Sequence, residues 1–155
     1  MATPPFVLAL REKIGNAPLW LSGVTAVVLR DNTVLLVRRS DNGSWTPVTG
    51  IIDPGEEPAV AAEREVLEEA DIVARAESLV WVQTVGPVTY ENGDVTDYLD
   101  LVFRCVWESG EPFPADGENT EAAWFPVDAL PEMSENMRQR VSIAVENAAP
   151  ARFNR

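Results

Sequence analysis

The chain has 155 residues, 25 of them acidic and 12 basic, with no histidine and a formal net charge of −13. A chain this acidic repels phosphate backbones unless a cation intervenes, which excludes a general binder of nucleic acid polymers. Hydrophobic residues make up 46% of it, enough for one domain with a core spanning residues 1–155 and too many for disorder; no stretch is long and apolar enough to span a bilayer.

In chain order, the first element is a short helix at about residues 6–15, in which Phe6, Leu10 and Ile14 share a stripe and Gly15 can end the helix. It reads as a cap on one end of the domain, with a lid or a dimer contact as the functional alternatives. No charged segment followed by a long apolar run opens the chain, so no secretion signal is expected. Leu21–Arg30 reads as a strand, Asp31-Asn32 as a turn and Thr33–Arg38 as a second strand, a hairpin. Arg38 and Arg39 close it, beside the loop SDNGSW. They either contact substrate phosphates or stay solvated near an acidic helix.

Trp45–Gly50 leads into a loop, Gly50–Gly55, whose glycines and Pro54 turn the chain sharply. Pro58 suits the first turn of a helix that runs to Ala70 through good helix formers. Glu65, Glu68 and Glu69 stand at i, i+3 and i+4, so three carboxylates share one face. Like charges at this spacing destabilise a helix by about 0.2–0.5 kcal/mol per pair. A hard divalent cation removes that repulsion, and carboxylate oxygens suit Mg²⁺ or Mn²⁺. Ala59, Ala62 and Val66 form a separate apolar face for packing on a sheet. The competing reading is a solvated acidic helix face.

Beyond the helix, Glu77–Val85 and Asp97–Trp107 read as strands joined through Gly86-Pro87 and the tight turn at Asn92-Gly93. Cys105 is the single cysteine. It cannot form an internal disulfide, sits in the apolar run LVFRCVW as a core thiol, and fits a reducing, cytoplasmic setting. Glu108–Thr120 is a loop rich in Gly, Pro and acid. Ala123–Val127 is a short strand, and Ser134–Val145 a helix capped by Ser134 with Met137, Val141 and Val145 on one side. Ala149–Arg155 reads as coil. This succession of strands and helices indicates the α/β class, an α/β/α sandwich around a mixed β-sheet. Trp45, Trp81, Tyr90 and Tyr98 can stack on a base or pack in the sheet.

One spacing is far more specific than the rest. Gly50, five residues, Glu56, seven residues, Arg64-Glu65-Val66-Leu67-Glu68-Glu69 and then Ala70-Asp71-Ile72 resembles the signature G-x5-E-x7-R-E-U-x-E-E-x-G-U of the Nudix hydrolases, U being a bulky aliphatic. Asp71 departs from it, standing where the family has a glycine that ends the helix in a left-handed conformation. The resemblance implies a Nudix-like α/β/α sandwich and a metal-dependent enzyme. Its substrate would be a nucleoside diphosphate linked to another moiety: ADP-ribose, a nucleotide sugar or a (d)NTP, cleaved by water at phosphorus.

It also implies roles. Glu65, Glu68 and Glu69 hold Mg²⁺, with Mn²⁺ as substitute, helped by a main-chain oxygen at Gly50 and indirectly by Glu56. Arg64 orients Glu68. Glu118, six residues before Trp124, is a fourth carboxylate, with Glu121 and Asp116 as rivals. The general base is Glu65, Glu68 or Glu118. Apart from the resemblance, Arg38 and Arg39, from their charge beside the loop, and Trp45, from its ring, are the residues expected to face the substrate. The partner expected is a small nucleotide-type diphosphate, with no nucleic acid polymer and no membrane, and a homodimer is compatible. The alternative is a non-catalytic nucleotide-sensing domain of the same fold. Such domains commonly lose the carboxylates that are all present here. An isoprenoid diphosphate isomerase of this fold needs a further catalytic cysteine, and Cys105 does not sit in a matching motif.

Overall fold

A computed structural model describes residues 3–155. Helix α1 (Pro5–Ile14) leads into β1 (Leu19–Arg30), β2 (Thr33–Arg39), β3 (Trp45–Thr46) and β4 (Val48–Ile51). Helix α2 (Pro58–Ala70) follows, then β5 (Val73–Thr89), β6 (Val95–Ser109), β7 (Asn119–Pro126), α3 (Glu135–Glu146) and β8 (Arg152–Phe153). The strands form one mixed sheet in the order β3-β2-β1-β6-β5-β8, with β4 on β1 and β7 on β2.

Strand β1 sets the architecture. One edge pairs in parallel with β6 along its length, from Leu19↔Thr96 to Leu29↔Val106. The other edge is shared: Gly23–Ala26 pair with β4, and Leu29 and Arg30 pair with β2. The sheet therefore forks beside the loop that opens the acidic helix. Both faces of β1 are covered, so it reads as a nearly continuous apolar run rather than as strict alternation. Val24, Ala26 and Val28 face α2 with Leu35, Val37 and Val48, against Ala61, Ala62, Val66 and Ala70. Val27 and Leu29 face α3 with Leu36, Val80, Trp81 and Val102, against Val141, Ile143 and Ala144. Helices lie on both faces, and the expected α/β/α sandwich is what forms.

Several boundaries differ from the sequence reading, each for a local reason. Strand β5 starts at Val73 and runs through Gly86-Pro87. Pro87 falls at a register shift between Val85 and Val88, where its missing N–H interrupts no ladder bond. The tail is not all coil: β8 pairs with Trp81 and Val82, and Trp81 Nε1 donates to Asn154 Oδ1 at 3.3 Å. In α1 the packed side chain is Val7, against Leu21, Ile51, Phe6, Leu19 and Tyr98, whereas Leu10 and Ile14 are 38% exposed. In α3, Ser134 is the N-cap as expected, its side chain accepting from the Met137 N–H, but Val145 is exposed and Arg140 is buried.

Arg140 belongs to a buried polar ring that periodicity does not reveal. Its Nη1 donates to Thr25 Oγ1 at 2.8 Å and lies 3.4 Å from Asp100 Oδ2. Thr25 Oγ1 donates to Asp100 Oδ1, Gln83 Nε2 to Asp100 Oδ2, and Asn136 Nδ2 to Gln83 Oε1. Arg140 Nε closes the ring on Asn136 Oδ1. It fastens α3 to β1, β5 and β6. Cys105 is fully buried, and burial pushes its thiol up to about 12. No helix among the described residues is long and apolar enough to cross a membrane.

Helix α2 ends where the sequence places its departure from the signature. Asp71 is left-handed (φ 55°, ψ 33°), and its N–H donates to Leu67 O. An L-residue in this conformation costs about 1 kcal/mol, and its carboxylate opposes the helix C-terminal dipole. Asp71→Gly is expected to stabilise the protein by about 1 kcal/mol with unchanged turnover, read from urea unfolding; a loss of stability would contradict the strain.

Candidate active site

The site is built where α2, the fork beside β1 and the loop before β7 meet. Arg64 is its structural hub. Its Nε and Nη2 donate to the two oxygens of Glu56 at 2.7 and 2.9 Å. Nη1 reaches Glu65 Oε1 at 2.9 Å and Glu68 Oε2 at 3.1 Å, and Nη2 also reaches Ile51 O at 3.2 Å. Glu56 Oε2 accepts from the Asp53 N–H. The guanidinium thus pins the loop to the helix, holding the Glu56 carboxyl below its usual range while its own pKa is raised by Glu56.

Glu65 lies against Gly50. A Cβ on Gly50 would stand 2.1 Å from Glu65 Cδ, so only glycine leaves room for this carboxylate. Glu65 is 1% exposed, and its Oε2 has no hydrogen-bond partner among the described residues. An orphaned anionic oxygen in the interior is costly unless a cation meets it.

Glu69 is buried as well, and Asn119 Nδ2 donates to its Oε2 at 3.2 Å. Carboxylate oxygens of Glu69, Asp116 and Glu118 all lie within 4.8 Å of one another. The loop carrying the last two is held on both sides. Phe113 N and Ala115 N donate to Ala70 O and Glu69 O. On the other side, Ser40 grips Glu118 O with its N–H at 3.0 Å and its hydroxyl at 2.6 Å, and Glu118 N donates to Asp116 Oδ1. An all-carboxylate set beside a buried orphan oxygen fits a hard divalent cation.

The α2 carboxylates are not all alike. Glu65 and Glu69 share the buried face with Ala61, Ala62, Val66 and Ala70, so the packing side and the acidic side of the helix overlap. Ala59, expected on the apolar face, is only partly buried. Glu68 is half exposed and turned to Arg64.

A cavity of about 380 Å³ opens over Glu69, Glu118 and Asn119. Arg39 and Asp41 line it and bind each other in a two-bonded pair of 3.0 and 2.6 Å. That contact raises the Arg39 pKa and lowers that of Asp41. Arg38 points elsewhere, to Glu121 at 2.8 Å, because neighbouring strand residues face opposite sides. Trp45 stacks edge-to-face on Phe125 and lines a separate groove with Arg38 and the start of α3. Of the residues chosen from sequence, Arg39, Glu69 and Glu118 meet at the cavity, whereas Arg38, Trp45 and Glu121 lie apart from it. Asp116, one of two rivals to Glu118, joins the cluster. Tyr90, one of four aromatics open to base stacking in the sequence, lines the cavity, whereas Asn119 and Ser40 carried no sequence signal for their positions; the Asp-Gly turn before Glu118 is the one hint that the loop folds back.

Burial pushes both Glu65 and Glu69 up to about 7 from the ordinary 4.5. Each ionises less readily in the fold than in the unfolded chain, so the folded protein holds more protons between pH 4.5 and about 7. Their contribution to stability is complete below that window and lost as pH rises through it. In chelator, the unfolding midpoint of the wild type is expected to fall between those limits more steeply than that of Glu69→Gln. Adding Mn²⁺ at pH 8 should restore it, because a bound cation requires the ionised form. Equal slopes in the two proteins, with no response to Mn²⁺, would contradict the assignment.

Comparison with known proteins points one way. The family model described as NUDIX domain matches residues 20–144. A MutT-like protein of Streptomyces ambofaciens is 33% identical over 141 residues, covering 90% of this chain and 86% of that protein. The human 8-oxo-dGDP phosphatase NUDT18 is 32% identical over 135 residues, 83% of this chain but only 37% of its own length. Among solved structures, a NUDIX hydrolase from Nitrosomonas europaea superposes with a TM-score of 0.67 at 26% identity, covering 83% of this chain and 90% of that one.

Proposed function

The chain belongs to the Nudix family, and on that premise we propose a divalent-metal-dependent pyrophosphohydrolase that cleaves a nucleoside diphosphate linked to another moiety. The observation that carries this reading is the meeting of Glu69, Asp116 and Glu118 beneath a cavity with Arg39 on its wall. Glu65, Glu69, Asp116 and Glu118 would hold Mg²⁺ or Mn²⁺, with Glu68, Glu56 and the Gly50 carbonyl as further donors. The bound ion supplies charge neutralisation at the diphosphate and a more acidic water.

The chain's own groups do the rest. Arg39 can exchange Asp41 for a substrate phosphate in the same two-bonded geometry. Arg64 keeps Glu65 and Glu68 aimed and binds Glu56, which makes it a positioning residue. Glu118, on the clamped loop, is our choice of general base, because it is only partly buried and faces the cavity; Glu65 and Glu68 are already engaged by Arg64. Water forms the new P–O bond, the bridging P–O bond breaks, and a nucleoside monophosphate and a phosphorylated partner leave. A reducing, cytoplasmic setting, supported by the buried unpaired Cys105, completes the reading.

The test is a panel of ADP-ribose, nucleotide sugars, dinucleoside polyphosphates, (d)NTPs and, given the name of the human relative, 8-oxo-dGDP. Each is incubated with Mg²⁺ or Mn²⁺, and phosphate is read after a coupled phosphatase. Turnover of at least one with metal and none in chelator is expected. Nucleotide binding without product at any metal level would favour the sensing domain instead.

A further inference from the structure

The geometry points to Tyr90 as the platform on which the substrate's base stacks, a role that rests on the hydrolase reading only in taking the same cavity as the substrate site. Tyr90 follows β5 at the turn into β6 and lines the cavity that also holds Arg39, Glu69 and Glu118. Among the described residues lining that cavity it supplies the single aromatic ring. Trp45 lies in the other groove, Trp81 is 4% exposed in the α3-side core, and Tyr98 packs against α1. A nucleoside entering with its phosphates toward Glu69 and Arg39 therefore meets one π-face.

Tyr90 is also held ready for that contact. It is 40% exposed and lines the cavity, while its hydroxyl is hydrogen-bonded to the Tyr98 hydroxyl. Tyr98 is fixed in turn by α1: it packs in the cluster of Val7, Leu21 and Ile51 with Phe6. Arg11 of the same helix donates to Val95 O and Thr96 Oγ1 at the start of β6. Helix α1 precedes residue 20, where the family match begins. It thus braces the hairpin that brings Tyr90 to the cavity. A ring tethered through its hydroxyl loses less entropy on stacking than a free one, and stacking tolerates any base. The specificity that follows is for a nucleoside over a base-free diphosphate, with weak choice among bases.

The test separates binding from turnover. ADP and inorganic pyrophosphate are titrated with Mg²⁺ into wild type, Tyr90→Ala and Tyr90→Phe, following protein amide shifts and the adenine H2 and H8 resonances by NMR. Tyr90→Ala is expected to weaken ADP by about tenfold or more and to leave pyrophosphate unchanged. Tyr90→Phe keeps the ring and should stay within about threefold of wild type. The adenine protons should move upfield in the wild-type complex and not in Tyr90→Ala. Equal weakening of both ligands, no weakening of either, or no ADP binding by wild type would overturn the assignment. A wild type that binds ADP through Tyr90 yet hydrolyses nothing would sink the hydrolase reading and leave the stacking role standing.

Discussion

Glu69→Gln is expected to lower turnover by roughly three orders of magnitude while the protein stays folded. Charge stabilisation by a bound cation is worth several kcal/mol in the transition state, and each 1.36 kcal/mol is tenfold. Glutamine keeps the volume and one carbonyl acceptor for Asn119 Nδ2, which now bonds Glu69 Oε2 at 3.2 Å, so packing beneath α2 is preserved. It removes the anionic oxygen that meets Asp116 and Glu118. The variant should not lose stability at neutral pH, because burial already resists the charge it deletes. Steady-state turnover on the best substrate of the panel, beside circular dichroism and unfolding, decides it. Full turnover in a folded Glu69→Gln would remove Glu69 from the metal site, and with it the reading of the cluster.

The second large effect lies on the opposite face of the sheet. Asp100→Ala should cost about 3–5 kcal/mol of stability, the scale for breaking a buried ion pair and leaving its partner charged. Asp100 is 4% exposed, accepts from Thr25 and Gln83, and lies 3.4 Å from the Arg140 guanidinium as its ion-pair partner. Without it, Arg140, itself 4% exposed, keeps only Thr25 and Asn136 among the described residues. Arg140→Ala should be damaging for the complementary reason, and the double variant less so than the sum, since both single changes break the same contact. Chemical denaturation of the four proteins measures the coupling. A cost below about 1 kcal/mol for Asp100→Ala would mean that water or a shift of α3 relieves the charge.

The two faces of the sheet differ in how much of them the sequence discloses. The signature loop and α2 were legible because their chemistry is local. Pro58 opens the helix, Glu56 lies eight residues before Arg64 and meets it through two hydrogen bonds, and Asp71 closes it left-handed. Helix α3 was legible as an amphipathic helix with a serine cap, but not as a carrier of a buried arginine. Its partners Thr25, Gln83 and Asp100 come from three strands distant in sequence, and no periodicity encodes such a meeting. The site divides in the same way. Arg38 and Arg39 look equivalent in the sequence and separate only when the pleat turns one to Glu121 and the other to the cavity. Spacing before Trp124 picked out Glu118, whereas its clamping by Ser40 depends on a contact across 78 positions. Tyr90 was one of four interchangeable aromatics until the β5–β6 hairpin placed it.

One feature of α2 bears on how this protein can change. The carboxylates Glu65 and Glu69 stand among the alanines and the valine that seat the helix on the sheet, with Gly50 filling the last gap beside Glu65. No rotation or sliding of the helix improves its fit without re-aiming those acids. Variation that lets most interiors drift by exchanging bulk between neighbours is closed to this layer, and sequence divergence should collect instead around α3 and the tail. Heat-hardening the protein and keeping its rate are, beneath this helix, a single design problem.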